Sequence, residues 1–300
     1  MRRASRPFAY LVLVSTLLLW SGNWIVARAV RDDIAPGIAT AGRLVLVLLI
    51  LGPFCLQSLG RKIPDLTRPQ WLVLLALGFF GGGLHLAFQW LGLHYTTATS
   101  GILYLSTSPI FILLMARPLL GESIGWRQWT GIAISFAGVV LIATHGDVAG
   151  FTFNPGDLLA LASMAMWAGY TVFLRLRRDP LDTPELIAVV CAIGLVIMLP
   201  WVGFELVEKK TRINREGFYA ILYSAVGSLL LAYAGWSYVV TRLGAARAGV
   251  TMHLMPAMGA GLSMIFLGEY PRWFHGAGIV LILMGVALSS FKASSLASSP

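Results

Sequence analysis

A shift of 147 residues lays this chain on itself: Thr16, Trp20 and Gly22 fall on Ser163, Trp167 and Gly169, Arg28 on Arg175, and Pro109 on Pro256. In the same register Gly121-Glu122 meets Gly268-Glu269, Trp126 meets Trp273, and Gly131 and Gly138 meet Gly278 and Gly285. One constant offset, close to half of the 300 residues, implies two copies of a single folding unit.

The unit is a membrane one. Hydrophobic residues make up 57% of the chain and charged residues 12%, well away from soluble-domain composition. The apolar residues come in ten runs of a length that crosses hydrocarbon as helix. They lie near 8–28, 36–57, 69–92, 97–118, 126–144, 156–176, 184–205, 216–240, 246–268 and 273–291. The expected fold class is therefore all-α integral membrane. Residues 1–145 form the first five-helix repeat, 146–155 a Gly/Asp/Asn/Pro-rich linker, 156–291 the second repeat and 292–300 a Ser/Ala-rich tail.

The net charge of +9 would point to nucleic acid in a soluble protein, but here Lys and Arg cluster at span ends. With the N-terminus inside, fourteen of them fall on the cytoplasmic side and seven outside, so both termini are expected in the cytoplasm. Five spans per copy then send the second copy through the bilayer the other way round. The expectation is two inverted repeats around a central cavity, the plan of a secondary transporter. The first span, with Arg2-Arg3 ahead of it and Ala27-Arg28-Ala29 at its end, has features of a signal peptide. Cleavage would break the repeat, so it reads as a retained helix. Cys55 and Cys191 lie in apolar spans, are not repeat-related, and read as small hydrophobes.

A polar and aromatic stripe marks where a cavity would be. Thr16, Trp20, Asn23 and Trp24 share one helical face, and Ser163, Trp167, Tyr170 and Thr171 repeat it on the sixth span. Such groups at mid-membrane depth are poor lipid neighbours and are expected to turn inward, as cavity lining or as helix–helix glue. The third span adds His85 and Gln89, the fourth Tyr104 and Ser108, the eighth Tyr233 and Trp236, and the ninth His253. Pro109 and Pro256 follow at equivalent points of the fourth and ninth spans and are candidate hinges.

None of the thirteen carboxylates falls near the centre of a span, which speaks against obligatory ion coupling through Asp or Glu. His85 and His253 leave a proton-coupled role open. Arg43, about two turns into the second span, either meets a substrate carboxylate or bonds to carbonyls. The Gly131/Gly138 and Gly278/Gly285 pairs set small residues along one face of the fifth and tenth spans, which read as close-packed scaffold. No zinc-protease, serine-nucleophile or phosphate-loop motif is present, so no metal, cofactor or catalytic residue is expected.

Trp20-Ser21-Gly22-Asn23-Trp24, Ala41-Gly42-Arg43-Leu44, the two prolines and both Gly-Glu pairs together resemble the EamA family of the drug/metabolite transporter superfamily. The resemblance covers two tandem units, about 8–144 and 156–291. It implies ten helices and a cavity between the first, third, fourth, sixth, eighth and ninth. Within that family the chain is similar to bacterial inner-membrane exporters of aromatic and other apolar amino acids, the YddG type. The resemblance thus implies a facilitative exporter of amino acids or similar metabolites in the bacterial inner membrane. Its expected partners are a small-molecule substrate and membrane lipid, with a monomer as working unit. A broader drug/metabolite efflux carrier and an intramembrane enzyme are the alternatives.

Overall fold

The computed structural model describes residues 6–120, 125–147, 154–208, 214–243 and 254–290. Regular structure among the described residues is entirely helical, which lets a lipid-immersed backbone satisfy its own hydrogen bonds. The first half contains α1 (Arg6–Ala29), α2 (Pro36–Lys62), α3 (Arg68–Tyr95), a broken α4 and α5 (Trp126–Ala143). Helix α4 runs as Ala98–Leu103 and Ser108–Leu120, joined by a 3-10 turn at Tyr104–Thr107. The second half contains α6 (Pro155–Leu176), α7 (Thr183–Val207), α8 (215–243), α9 (Met255–Leu267) and α10 (Trp273–Ser290).

Seven of these (α1, α2, α3, α5, α6, α7 and α8) are long and apolar enough to cross a membrane, and α4 makes an eighth if its pieces, bent by 41°, count as one span. Helices α9 and α10 count as shorter, over Met255–Leu267 and Trp273–Leu288. Two of the differences from ten full-length runs are local to the fourth and ninth runs. The fourth run breaks at Tyr104–Thr107, directly ahead of Pro109, where the missing amide weakens the ladder. The start of the ninth run lies outside the described residues, and α9 is given from Met255 with Pro256 at its second position. Pro109 holds the second position of Ser108–Leu120, so the two repeat-related prolines are placed alike, each in a first turn.

Helix starts are capped by sequence-local chemistry. Asp182 and Glu185 form a reciprocal box at α7, with amide-to-carboxylate distances of 3.0 and 2.8 Å. Asn154 and Asn214 accept from Gly156 N and Gly217 N at α6 and α8, both at 2.8 Å. At α2 the cap comes from far away in sequence: Glu205, near the end of α7, accepts from Gly37 N at 3.0 Å and Ile38 N at 2.8 Å. This joint is buried. Glu205→Ala would strand two buried amides, at a cost of about 1–3 kcal/mol. The expected outcome is a lowered thermal midpoint in detergent, with Glu205→Gln falling between wild type and alanine.

The two halves pack in an exchange-symmetric pattern. Helix α1 lies against α8 and α9, and its repeat mate α6 lies against α3 and α4. Helices α5 and α10 form the main seam between the halves and run antiparallel, with Gly138 on Gly278 and Gly285 on Gly131. At its centre Ser135 Oγ donates to Ile282 O at 2.9 Å, linking two residues 147 apart. Helices α2 and α7 are antiparallel as well, tied by Gly37–Glu205 at one end and Lys62–Glu185 (2.7 Å) at the other.

Two π-helical stretches sharpen the repeat. Gly78–Leu84 in α3 and Tyr223–Leu231 in α8 are both π-helical, and the shift of 147 carries the first into the second. This geometry occupies well under 1% of residues in ordinary proteins, so its recurrence in register is a property of the folding unit. In α3 the glycines allow close packing: a Cβ on Gly82 would stand 2.2 Å from the Val190 carbonyl of α7. The outer surface carries exposed Leu49, Phe54, Phe136, Val196, Ile265 and Phe266. In water that surface would be a liability; against acyl chains it is a match.

Candidate functional site

A narrow central cavity lies where α1, α3, α4, α6, α8 and α9 meet. Trp20, Asn23 and Trp24 of α1 face His85 and Gln89 of α3 across it, with Trp167 of α6 and Tyr233 of α8 closing the sides. Tyr233 stands between two repeat mates. Its ring lies 5.7 Å from Trp20 and 6.3 Å from Trp167, edge-on to both, the arrangement that ring quadrupoles favour. The result is an aromatic box assembled from both halves of the chain.

Polar groups hold the box in place. Trp20 Nε1 donates to Ser228 O at 3.1 Å, a carbonyl of the π-helical part of α8. Asn23 donates to Gln89 Oε1 at 3.2 Å and accepts from Ser224 Oγ at 2.7 Å, so one amide joins α1, α3 and α8. His85 Nδ1 and Ser163 Oγ lie 2.9 Å apart, and the same hydroxyl donates to His85 O at 2.9 Å. His85 packs against Trp167 at 5.2 Å between ring centres. No carboxylate lines the cavity among the described residues.

Seven of the candidate residues read from sequence meet here: Trp20, Asn23, Trp24, His85, Gln89, Trp167 and Tyr233. Six more stand behind the wall: Thr16, Tyr104, Ser108, Ser163, Tyr170 and Trp236. Thr16 sits at the α1–α8 contact, where its hydroxyl packs on Gly235, and its repeat mate Ser163 serves the α3–α6 contact. These two polar positions hold helices together. Tyr170 stacks on Trp167 at 5.3 Å and lines a smaller adjoining pocket. Trp236 backs Trp20 at 5.5 Å. Tyr104 is fully buried in the 3-10 turn of α4, with buried Ser108 following it, and neither reaches the cavity. Pro109 lies in the first turn of the second piece of α4, and Pro256 follows the cavity residue Met255 without lining the wall itself. His253 lies outside the described residues.

Leu86, Leu105, Ser228, Leu229 and Met255 also line the cavity and were not singled out from sequence. The apolar ones carry no signal that separates them from core. Ser224 and Ser228 do carry one, as hydroxyls one turn apart on the eighth span. At one end of the bundle Arg28 donates to Leu93 O (2.9 Å) and His94 O (3.2 Å) and pairs with Glu269 at 3.5 Å. Glu269 in turn accepts from Thr99 N at 3.0 Å. The carboxylate of the second Gly-Glu pair therefore ties three segments together.

A multi-pass helical bundle with a lipid-matched exterior and a small polar–aromatic interior has the architecture of a small-molecule carrier. Comparison with known proteins agrees. The EamA-like transporter family matches the chain twice, over residues 7–144 and 154–291, and the chain belongs to that family: it is a membrane transporter, not an enzyme. An uncharacterized transporter of Archaeoglobus fulgidus is 30% identical over 94% of this chain and 97% of its own length. A probable terminal-alkyne amino-acid exporter of Streptantibioticus cattleyicolor is 26% identical over 92% and 91%. A solved crystal structure superposes with a TM-score of 0.61 at 23% identity, covering 95% of this chain and 97% of the other, which supports the fold.

Proposed function

We propose that this transporter exports amino acids or similar small metabolites, aromatic and other apolar amino acids first, by facilitative alternating access. The observation that carries the reading is the box in which Trp20 and Trp167, equivalent residues of the two repeats, share Tyr233 beside the Asn23–Gln89 amide pair. Aromatic faces accept apolar side chains, and the amides offer donors and acceptors to an ammonium and a carboxylate. The likeness to a probable amino-acid exporter supports the same substrate class. We read the chain as ten spans in two inverted five-span repeats with both termini cytoplasmic. The antiparallel α5–α10 seam and the distribution of Lys and Arg favour it.

The test uses proteoliposomes loaded with labelled phenylalanine, tryptophan, threonine or methionine. Release down a gradient, faster than from empty liposomes and saturable, is expected, with phenylalanine and tryptophan fastest. An imposed proton gradient is expected to leave the rate unchanged. Release of cationic dyes with retention of all four amino acids would favour a drug-efflux carrier instead.

A further inference from the structure

We infer that Arg43 sets the charge class of the substrate: it is a positioning residue for a carboxylate and a barrier to cations. The inference deepens the amino-acid reading and rests on it. Arg43 is 1% exposed, at membrane depth in α2. Its Nη2 donates to Leu86 O at 2.9 Å, its guanidinium carbon lies 5.2 Å from the centre of the Trp90 ring, and its Nε has no hydrogen-bond partner. Among the described residues no carboxylate lies within ion-pair distance of it. A cation buried without a counter-ion is expensive, and charges at this depth mark functional sites by default.

The position relative to the cavity gives the charge a use. Leu86, which receives the arginine's hydrogen bond, is a cavity residue, as are its chain neighbour His85 and, from α8, Tyr233. The charge therefore stands one residue behind the wall. Water is scarce there and the field is weakly screened. With no acid in the lining among the described residues, this charge biases the box so that a carboxylate on the Leu86–Tyr233 side is attracted and an ammonium without one is disfavoured. Only one repeat carries this charge, since the equivalent of Arg43 is Val190. Arg28, by contrast, has both an equivalent, Arg175, and an acidic partner, Glu269.

Quenching of intrinsic tryptophan fluorescence in the purified full chain tests this with phenylalanine, N-acetylphenylalanine and phenylalaninamide. The wild type is expected to bind the two carboxylates ~10-fold or more tighter than the amide, a ratio equivalent to about 1.4 kcal/mol, and Arg43→Gln is expected to narrow that ratio by a similar factor. Arg43→Lys, which restores a charge without the planar fork, is expected to recover most of the ratio. Equal wild-type affinity for all three probes overturns the inference, as does an Arg43→Gln variant that loses all three in parallel. If the wild type binds none of them, benzoate and benzylamine are compared. Binding of benzoate alone keeps the charge inference and overturns the amino-acid reading, and binding of neither, or of both equally, overturns the inference.

Discussion

Trp20→Ala and Trp167→Ala are each expected to cut gradient-driven release of labelled tryptophan from proteoliposomes by ~10-fold or more, while the corresponding Phe variants keep most of it. The argument is geometric. Each indole gives the cavity a face, and both faces are set by Tyr233 between them. Alanine removes the face and one edge-on contact, worth about 0.5–1.5 kcal/mol beyond simple burial, and leaves a void that water can enter. Trp20 also loses its bond to Ser228 O, which frees the π-helical turn of α8. The double variant is the sharper measurement. If the two indoles act through one tyrosine, their effects are non-additive, with a coupling of about 0.5–3 kcal/mol as found for residues in contact. Additive losses would mean two separate contributions, and an unchanged rate in either single variant would remove the box from the transport path.

The carrier class was readable in the sequence because two constraints are written there directly. A membrane forces apolar runs of fixed length, and the repeat forces each feature to occur twice. Trp20 and Trp167 stood out on both counts, and the structure places both at the cavity. Thr16 and Ser163 passed the same tests yet sit at helix contacts, since a polar stripe has a single signature for facing a cavity and for facing a neighbouring helix. The π-helical turns left only a faint trace, the glycines of α3. The repeat in α8 reads Tyr223–Leu231 with ordinary residues, because the geometry follows from packing between helices and not from local preference. The Glu205 cap of α2 was invisible, as its partners are 167 and 168 residues away. Arg43 was conspicuous as a charge within a span, but only the fold shows that no acid answers it.

The second large effect concerns the seam between α5 and α10. Gly285→Leu is expected to abolish transport by unfolding the α5–α10 contact, with a large fall in thermal midpoint and loss of monodisperse protein in detergent. A Cβ on Gly285 would stand 2.3 Å from Gly131 O and 2.3 Å from Ser135 Oγ, and 2.7 Å from Ser135 N. Two of these three neighbours are backbone, so nothing can swing aside. The helices must separate, and with them goes the Ser135–Ile282 bond at the centre of the seam. Inserting bulk into a packed contact of this kind costs roughly 1–3 kcal/mol or more, and several methylene equivalents enter at once. Gly276, earlier on the same helix, supplies the control, because a Cβ there meets nothing within 4 Å. Gly276→Leu is expected to fold and transport as wild type, helped slightly by leucine's better helix propensity. If Gly285→Leu were as stable as Gly276→Leu, the seam would be loose enough to open, and the halves would move about it. Rigid failure at Gly285 instead leaves α1, α3, α6 and α8 as the helices free to shift around the substrate. Those are the four that the Trp20, Asn23 and His85 contacts tie together across the cavity.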